Sequence, residues 1–222
     1  MFSLATGGVA YLNAYLRANG IDPKEVSLVP LGVGAPPVEA LRQGRVDGLL
    51  YWGSAMASFE NTGLKLRKLK GDDWETYPDY SVAAMQSTID NKPDLVIGIA
   101  RGMAKAMVFA AANPDCARRI FWKNHPGERA NAGDEATSIK WDLNVQQAHI
   151  YAQQAALKAN GGTRFGITDP KGYDRLSNFM VDAKQIDKPV PASSILVEPE
   201  LAKKIGDFDS AAIVASAQAC SM

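Results

Sequence analysis

The fold of this chain is decided by residues 26–52, VSLVPLGVGAPPVEALRQGRVDGLLYW. Residues 26–31 are apolar enough to predict a strand, and a loop rich in Gly and Pro then leads into a short predicted helix over residues 38–43. Gly44 ends that helix, and residues 46–52 predict a second strand. A strand, a helix and another strand in this order form a unit whose two strands run parallel.

The residues on both sides of this stretch continue the alternation. Residues 1–5 predict a first strand, a glycine turn follows at residues 6–8, and apolar side chains then recur at helical spacing until Gly20. Residues 54–61 predict a further helix, and residues 64–69 predict a fourth strand. Strands that alternate with short helices predict the α/β class, with a parallel sheet covered on both faces.

The pattern changes at residue 71. Residues 71–79, GDDWETYPD, are polar and aromatic, and the strand-like residues 80–86 follow them, which predicts a crossing between two lobes. We therefore expect an α/β lobe over residues 1–77, and a hinge strand with a mainly helical part over residues 78–222. Helices are predicted over residues 93–112, from residue 114 onwards with Asn113 as its cap, and over residues 137–159, 170–181, 199–204 and 209–220.

The charge balance indicates no nucleic-acid or anionic membrane partner. The chain has 24 Lys and Arg residues against 24 Asp and Glu residues, so its formal net charge is zero. The most basic stretch, KLRKLK at residues 65–70, alternates cations with leucines and is typical of a strand with one solvated face.

Cysteines and apolar runs exclude further classes of protein. Cys116 and Cys220 match neither a metal-ligand spacing nor a CxxC motif, so we expect two unpaired thiols. The most apolar run, residues 103–112, is too short to cross a bilayer, and no membrane span is predicted. The first residues, MFSLATGGVAYL, lack the features of a secretory signal, so the chain as written would stay in the cytoplasm.

Two short segments are candidates for ligand contact. The turn Thr6, Gly7 and Gly8 precedes a predicted helix, where unpaired N–H groups can bind an anion or a carboxylate. Tyr51 and Trp52 end a predicted strand, the position at which open α/β sheets collect ligands, and their rings can stack on a flat molecule. The alternative is structural: the turn is an ordinary connection, and the two rings fill space between sheet and helix.

The sequence offers no catalytic constellation. His125 precedes Pro126 in a predicted turn between helices, His149 lies inside a predicted helix, and neither has an obvious partner. The motifs GxSxG and HExxH do not occur, and the acidic residues near position 73 are typical of a solvated loop. These observations favour a binding protein over an enzyme, with no metal site and no cofactor.

Several segments together resemble one known family. They are residues 6–32, TGGVAYLNAYLRANGIDPKEVSLVPLG; residues 38–52, VEALRQGRVDGLLYW; residues 57–63, ASFENTG; and residues 188–217, KPVPASSILVEPELAKKIGDFDSAAIVASA. This pattern is similar to the solute-binding proteins of bacterial ABC importers, in the branch for taurine, sulfonate, nitrate and thiamine-pyrimidine precursors. Gly206 departs from it, because Asn is more usual at that position.

The resemblance implies a type II periplasmic-binding-protein fold, with one α/β lobe and the helical C-terminal part of a second lobe. It implies a small polar or anionic ligand held between lobes, an ABC permease as partner and a periplasmic location. It places Thr6, Gly7 and Gly8 at a ligand-facing loop, and Tyr51 and Trp52 at an aromatic, ligand-facing strand end. Members of the family begin with an export signal and most of a first lobe, so we expect this chain to lack that portion.

Two other functions remain open at this point. One is an enzyme related to the yeast-type thiamine-pyrimidine synthases of the same fold, which use a histidine and a pyridoxal phosphate-binding lysine. Those residues belong to the portion that this chain lacks. The other is an effector-sensing domain detached from its DNA-binding part, although no helix-turn-helix pattern is present.

Overall fold

The computed structural model describes residues 2–4, 8–71, 73–78, 81–162, 165–166, 168–197 and 199–221, with the backbone alone for residues 2–4. The chain divides into two compact units. The first unit is Met1–Trp74 with Leu176–Pro189, and the second unit is Glu75–Arg175 with Val190–Met222. The first contains the sheet, and the described part of the second contains helices and turns.

The first unit is built on a parallel sheet of three short strands. Strand β1 (Phe2–Leu4) lies in the middle, between β2 (Leu28–Val29) and β3 (Gly48–Leu50). Phe2 is opposite Leu28 on one side and Gly48 on the other. The α/β class predicted for this part of the chain is therefore confirmed, although β2 and β3 are shorter than their apolar runs.

A helix follows each strand of the sheet. These are α1 (Val9–Ala18), α2 (Ala35–Arg42) and α3 (Gly53–Asn61). Helix α2 starts three residues before the predicted position 38, because proline at the first turn of a helix has the right φ and its missing N–H costs nothing there. Gly44 and Gly63 follow α2 and α3 with φ of 67° and 88°, a conformation that favours glycine, and confirm the predicted helix stops.

The core of the first unit lies under the end of β3. Val38, Tyr51 and Phe59 form a buried cluster, and the rings of Tyr51 and Phe59 meet edge to face with centroids 5.1 Å apart. Half-buried apolar residues complete it: Leu49, Ala55, Leu64 and Leu66. The cluster joins α2, β3 and α3 through apolar contact, which makes the end of β3 the rigid centre of this unit.

The predicted fourth strand over residues 64–69 is wrong. Leu64 and Leu66 pack against the core, and Lys65 and Arg67 point to solvent, so the predicted alternation of buried and exposed residues is present. No described strand pairs with this segment. Alternating burial does not form a strand without hydrogen bonds to a neighbouring strand, so the segment is a loop.

The described residues of the second unit form helices joined by loops and turns. Its helices are α4 (Gln86–Asn91), α5 (Pro93–Ala112), α6 (Pro114–Asn124), α7 (Glu135–Ala159), the first part of α8 (Pro170–Asp182), α9 (Pro199–Ile205) and α10 (Ser210–Ala219). Short 3-10 turns occur at Pro23–Glu25, Trp74–Thr76, Pro126–Glu128 and Ala192–Ser194. Asn113 accepts a hydrogen bond from the backbone N–H of Cys116 at 3.1 Å, which confirms the predicted cap of α6.

Two features between the units differ from the sequence-based expectation. The predicted hinge strand over residues 80–86 is wrong for its described residues, because residues 81–85 pair with no strand and Gln86 already begins α4. The second part of α8 belongs to the first unit, where the rings of Phe179 and Tyr11 lie 5.0 Å apart. Aromatic packing on α1 explains why residues 176–189 join a unit that the sequence ended at residue 77.

Helix α5 is the central helix of the second unit. By length and composition alone it is long and apolar enough to cross a membrane, because it covers 20 residues and not only the predicted run 103–112. Helices α4, α6, α7, α9 and α10 pack against it. The guanidinium of Arg101 donates hydrogen bonds of 3.1 and 2.6 Å to the backbone oxygen of Lys204, at the end of α9. Contact with several neighbouring helices is typical of the central helix of a helical bundle.

The two cysteines are joined, which overturns the expectation of unpaired thiols. Cys116 and Cys220 form a disulfide whose Cα atoms lie 5.8 Å apart across a sequence separation of 104 residues. Cys116 lies in the first turn of α6, and Cys220 follows the last residue of α10. The spacing of the two cysteines excluded a metal motif and a CxxC motif. Spacing does not predict whether the fold brings two distant cysteines close enough to form a disulfide.

Replacing Asn113 tests how α10 is held. Its Nδ2 donates to the backbone oxygen of Ala217 at 2.9 Å, and its Oδ1 caps α6. Asn113→Ala loses both bonds, and we expect it to lower the free energy of unfolding by about 1–3 kcal/mol in urea titrations. Asn113→Asp keeps the cap and loses the donor, so its loss is smaller but measurable. If Asn113→Asp has the same free energy of unfolding as the wild type, the hydrogen bond from Asn113 to α10 does not stabilise the protein.

Candidate functional site

The carboxyl ends of the three strands define one edge of the sheet in the first unit. Because all strands run parallel, the residues that follow them meet at this edge. Gly8 follows β1, the loop of residues 30–34 follows β2, and Tyr51 and Trp52 follow β3. Thr6 and Gly7 belong to the same predicted turn but lie outside the described residues, so their role stays a prediction.

Gly8 is packed directly against the neighbouring strand. It is the N-cap residue of α1, and a Cβ added to it would lie 2.5 Å from Cδ2 and 2.9 Å from Cγ of Leu50 in β3. Real Cβ atoms do not approach carbon atoms so closely, so this position needs glycine to bring the start of α1 against the end of β3. The packing fixes where the first N–H groups of α1 lie at the edge.

Tyr51 and Trp52 have different environments although they are neighbours in sequence. Tyr51 is 7% exposed, and its hydroxyl donates a hydrogen bond to the backbone oxygen of Gly32. This contact ties the loop after β2 to the end of β3. Trp52 is 40% exposed, with its ring 5.8 Å from that of Tyr51. At this edge, therefore, Trp52 presents an aromatic surface to solvent, and Tyr51 positions the loop.

Three helices start at this edge without a capping side chain from the described residues. The N-cap residues of α1, α2 and α3 are Gly8, Gly34 and Trp52, and none of these helices has an acidic residue in its first turn. The helices α6, α7 and α10, by contrast, are capped by Asn113, Asp134 and Asp209. Helix starts carry partial positive charge, so the edge attracts anions; the first-turn N–H donors belong mainly to α1 and α3, because Pro36 and Pro37 in the first turn of α2 have no N–H.

Asp134 shows in the second unit what such a helix start does to an anion. The backbone N–H of Thr137 donates to Asp134 Oδ1 at 2.9 Å in the first turn of α7. This bond holds the pKa of the Asp134 carboxyl below its usual value, because it stabilises the charged form. At the sheet edge, the described residues place no such carboxylate at the starts of α1, α2 and α3.

The glycines at the edge leave room for a molecule to approach the backbone. A Cβ added at Gly32, Gly34 or Gly53 would have nothing within 4 Å, in contrast to Gly8. Gly32 and Gly34 also have φ of 67° and 85°, so the loop after β2 needs glycine for its turn. This loop was not among the site residues predicted from sequence, although its two glycines beside a helix start were the available signal.

The residues considered for catalysis lie elsewhere. His125 stacks on Phe121 with ring centroids 4.9 Å apart, and His149 lies within α7. Trp122 is buried, and its indole N–H donates to Asp142 Oδ2 at 2.6 Å. Within the described ranges, no group of three or more His, Cys, Asp or Glu side chains could hold a metal ion.

Comparison with known proteins identifies the family. A family model described as "NMT1/THI5 like" matches residues 1–117, more than half of the 222-residue chain. The chain belongs to the NMT1/THI5-like family. This family is part of the periplasmic binding protein type II superfamily, and it includes both ABC solute-binding proteins and thiamine-pyrimidine synthases. No curated protein and no solved structure matches the chain.

The family assignment covers the whole candidate site. The matched residues include the three strands, the helices α1 to α3 and the loop with Gly32 and Gly34. The edge described above thus lies within the segment that matches the family, and the family is one of solute-binding domains, which agrees with the expectation of a small-molecule ligand.

The contact between Gly8 and Leu50 gives a direct test of how the edge is built. Gly8→Ala introduces the clashing Cβ, and we expect it to lower the free energy of unfolding by about 1–3 kcal/mol. Gly53→Ala is the matched control, because the added methyl group meets open space at the start of α3. Chemical denaturation measures both.

A double-mutant cycle decides whether the clash is the cause. Leu50→Ala removes both side-chain atoms that the new Cβ would meet, so Gly8→Ala should cost clearly less in that background. If Gly8→Ala lowers the free energy of unfolding equally in the wild type and in Leu50→Ala, the loss comes from the helix start itself. That result would contradict a clash with Leu50 as its cause.

Proposed function

We propose that this chain is the solute-binding component of a bacterial ABC importer, and that it binds a small polar or anionic molecule at the carboxyl edge of its sheet. The observation that carries the proposal is that three helices, none of them capped by a side chain of the described residues, start at this edge beside the exposed ring of Trp52. Membership of a family that includes ABC solute-binding proteins supports it.

The chemistry of the edge favours three classes of ligand. A sulfonate or a nitrate-like anion can accept hydrogen bonds from first-turn N–H groups, and no acidic residue in those turns would repel it. A planar group, either nitrate or a pyrimidine ring, can also stack on the indole of Trp52. Gly34 and Gly53 allow a close approach to the backbone because no side chain stands in front of it.

The proposed location is the periplasm. Members of the superfamily are usually periplasmic, and the Cys116–Cys220 disulfide fits an oxidising compartment, where such bonds form and persist. This proposal replaces the cytoplasmic expectation that the sequence analysis drew from its first residues. An ABC permease is the partner that the proposed function requires.

Replacing Trp52 tests the aromatic part of the site. We expect Trp52→Ala to weaken binding by about 1–3 kcal/mol, the usual scale for a stacked aromatic contact, with a smaller effect on stability because the ring is 40% exposed. Calorimetric titration of the wild type with taurine, nitrate and hydroxymethylpyrimidine identifies the ligand class first. The variant is then measured with the tightest of these probes.

Tyr151→Ala is the control for this experiment. It removes an aromatic ring that is 63% exposed on α7 in the second unit, outside the sheet edge, so it should leave both stability and affinity nearly unchanged. If Trp52→Ala lowers the melting temperature sharply but binds as the wild type does, Trp52 is a packing residue. If no probe binds the wild type, the proposed function fails. Conversion of hydroxymethylpyrimidine into a product would favour the synthase alternative.

A further inference from the structure

The C-terminal helix α10 packs along α5 mainly through small side chains. Of its ten residues, Ala217 is fully buried, Ile213 and Val214 are half-buried, and most of the others are exposed. Apolar stabilisation scales with the area removed from water, and helices of this length are marginal in isolation. The contact with α5 is close but removes little apolar side-chain area from water, so the links at the end of α10 add substantially to its docking.

The attachments at the end of α10 converge on the start of α6. Cys220 is bonded to Cys116, and Ala217 accepts the hydrogen bond from Asn113, whose other side-chain atom caps α6. At the opposite end of the helix, Asp209 accepts from the N–H groups of Ala211 and Ala212 within α10 itself. The covalent bond is thus the strongest link between α10 and its neighbour.

Cys220 has a backbone conformation that it would not adopt freely. Its φ is 43° and its ψ is 49°, the left-handed region that glycine or asparagine normally occupies at the end of a helix. Residues in such conformations persist where the surrounding structure holds them in place. Here the bond to Cys116 provides that restraint, so its loss allows residue 220 to return to a common conformation.

We propose that the Cys116–Cys220 disulfide is a redox latch that holds α10 on the second unit. In an oxidising compartment α10 is docked against α5, and reduction releases it while the rest of the unit stays folded. Helix α9 provides the contrast, because Arg101 holds its C-terminal carbonyl by hydrogen bonds that do not respond to thiols.

The relative burial of the two cysteines indicates which sulfur atom a reductant attacks first. Cys116 is fully buried and Cys220 is half-buried, so an attacking thiolate reaches the sulfur of Cys220 first. A new S–S bond forms there, the Cys116–Cys220 bond breaks, and its electron pair leaves on the sulfur of Cys116, which takes up a proton. A second thiol of the reductant then attacks the mixed disulfide and frees Cys220. A small-molecule disulfide, such as oxidised glutathione, reverses both steps and is itself reduced to two thiols.

Hydrogen exchange of the full chain, followed by mass spectrometry, tests the latch. The wild type is compared in its oxidised form and in excess dithiothreitol, with the redox state confirmed by the intact mass. We expect amides of α10 to exchange at least about tenfold faster after reduction, a conservative figure against the stabilisation that disulfides usually give. Peptides from α7 and α9 should change much less.

Two variants complete the test. Cys116→Ala fills the buried position with a small apolar residue, and Cys220→Ser keeps a residue of similar size; both should exchange like the reduced wild type with or without dithiothreitol. Unchanged exchange of α10 after confirmed reduction would overturn the latch. So would faster exchange across α7, α9 and α10 together, because the disulfide would then staple the whole unit and not one helix.

Discussion

Parallel pairing of β1 with β2 and with β3 is the constraint on which the candidate site depends. In a parallel sheet every strand ends at the same edge, and each helix that follows a strand begins there. Three short strands are therefore enough to bring the starts of α1, α2 and α3 together. Gly8 makes the arrangement close, because only glycine lets the start of α1 pack on Leu50. Among the described residues, no side chain caps these helix starts and no acidic residue lies in their first turns, so their positive ends can attract an anion without a charged side chain.

The second unit is stabilised by a different principle. Its centre is one apolar helix, α5, and helices α4, α6, α7, α9 and α10 pack against it. Polar contacts and one disulfide hold the ends of α9 and α10 in place. Arg101 holds the end of α9, and Asn113 together with the Cys116–Cys220 disulfide holds the end of α10. The covalent link adds to the small apolar area that α10 buries, and in the proposed latch the docking of α10, not the fold of the rest of the unit, depends on an oxidising environment.

Local signals predicted most helices, and the failures share one physical cause. Helix starts at Pro93 and Pro114, the Asn113 cap and the glycine stops depend on neighbouring residues and are visible in sequence. Strand 64–69, the hinge strand and the cysteine pair depend on a distant partner, which local patterns do not contain. The same limit applies to the site: the sequence indicated both Tyr51 and Trp52, with Trp52 as the better candidate, and only the contacts of Tyr51 with Phe59 and Gly32 show that its ring is the buried one.

Backbone amide chemical shifts of the full chain, titrated with taurine, nitrate and hydroxymethylpyrimidine, test the central claim most directly. The account predicts that a binding anion moves the amide signals at the starts of α1, α2 and α3, with Gly34 and Gly53 among them, and that the indole signal of Trp52 moves with them. Amides of α7 in the second unit serve as the internal reference. Shifts confined to the second unit, or binding that leaves the three helix starts unperturbed, would contradict a solute site at the carboxyl edge of the sheet.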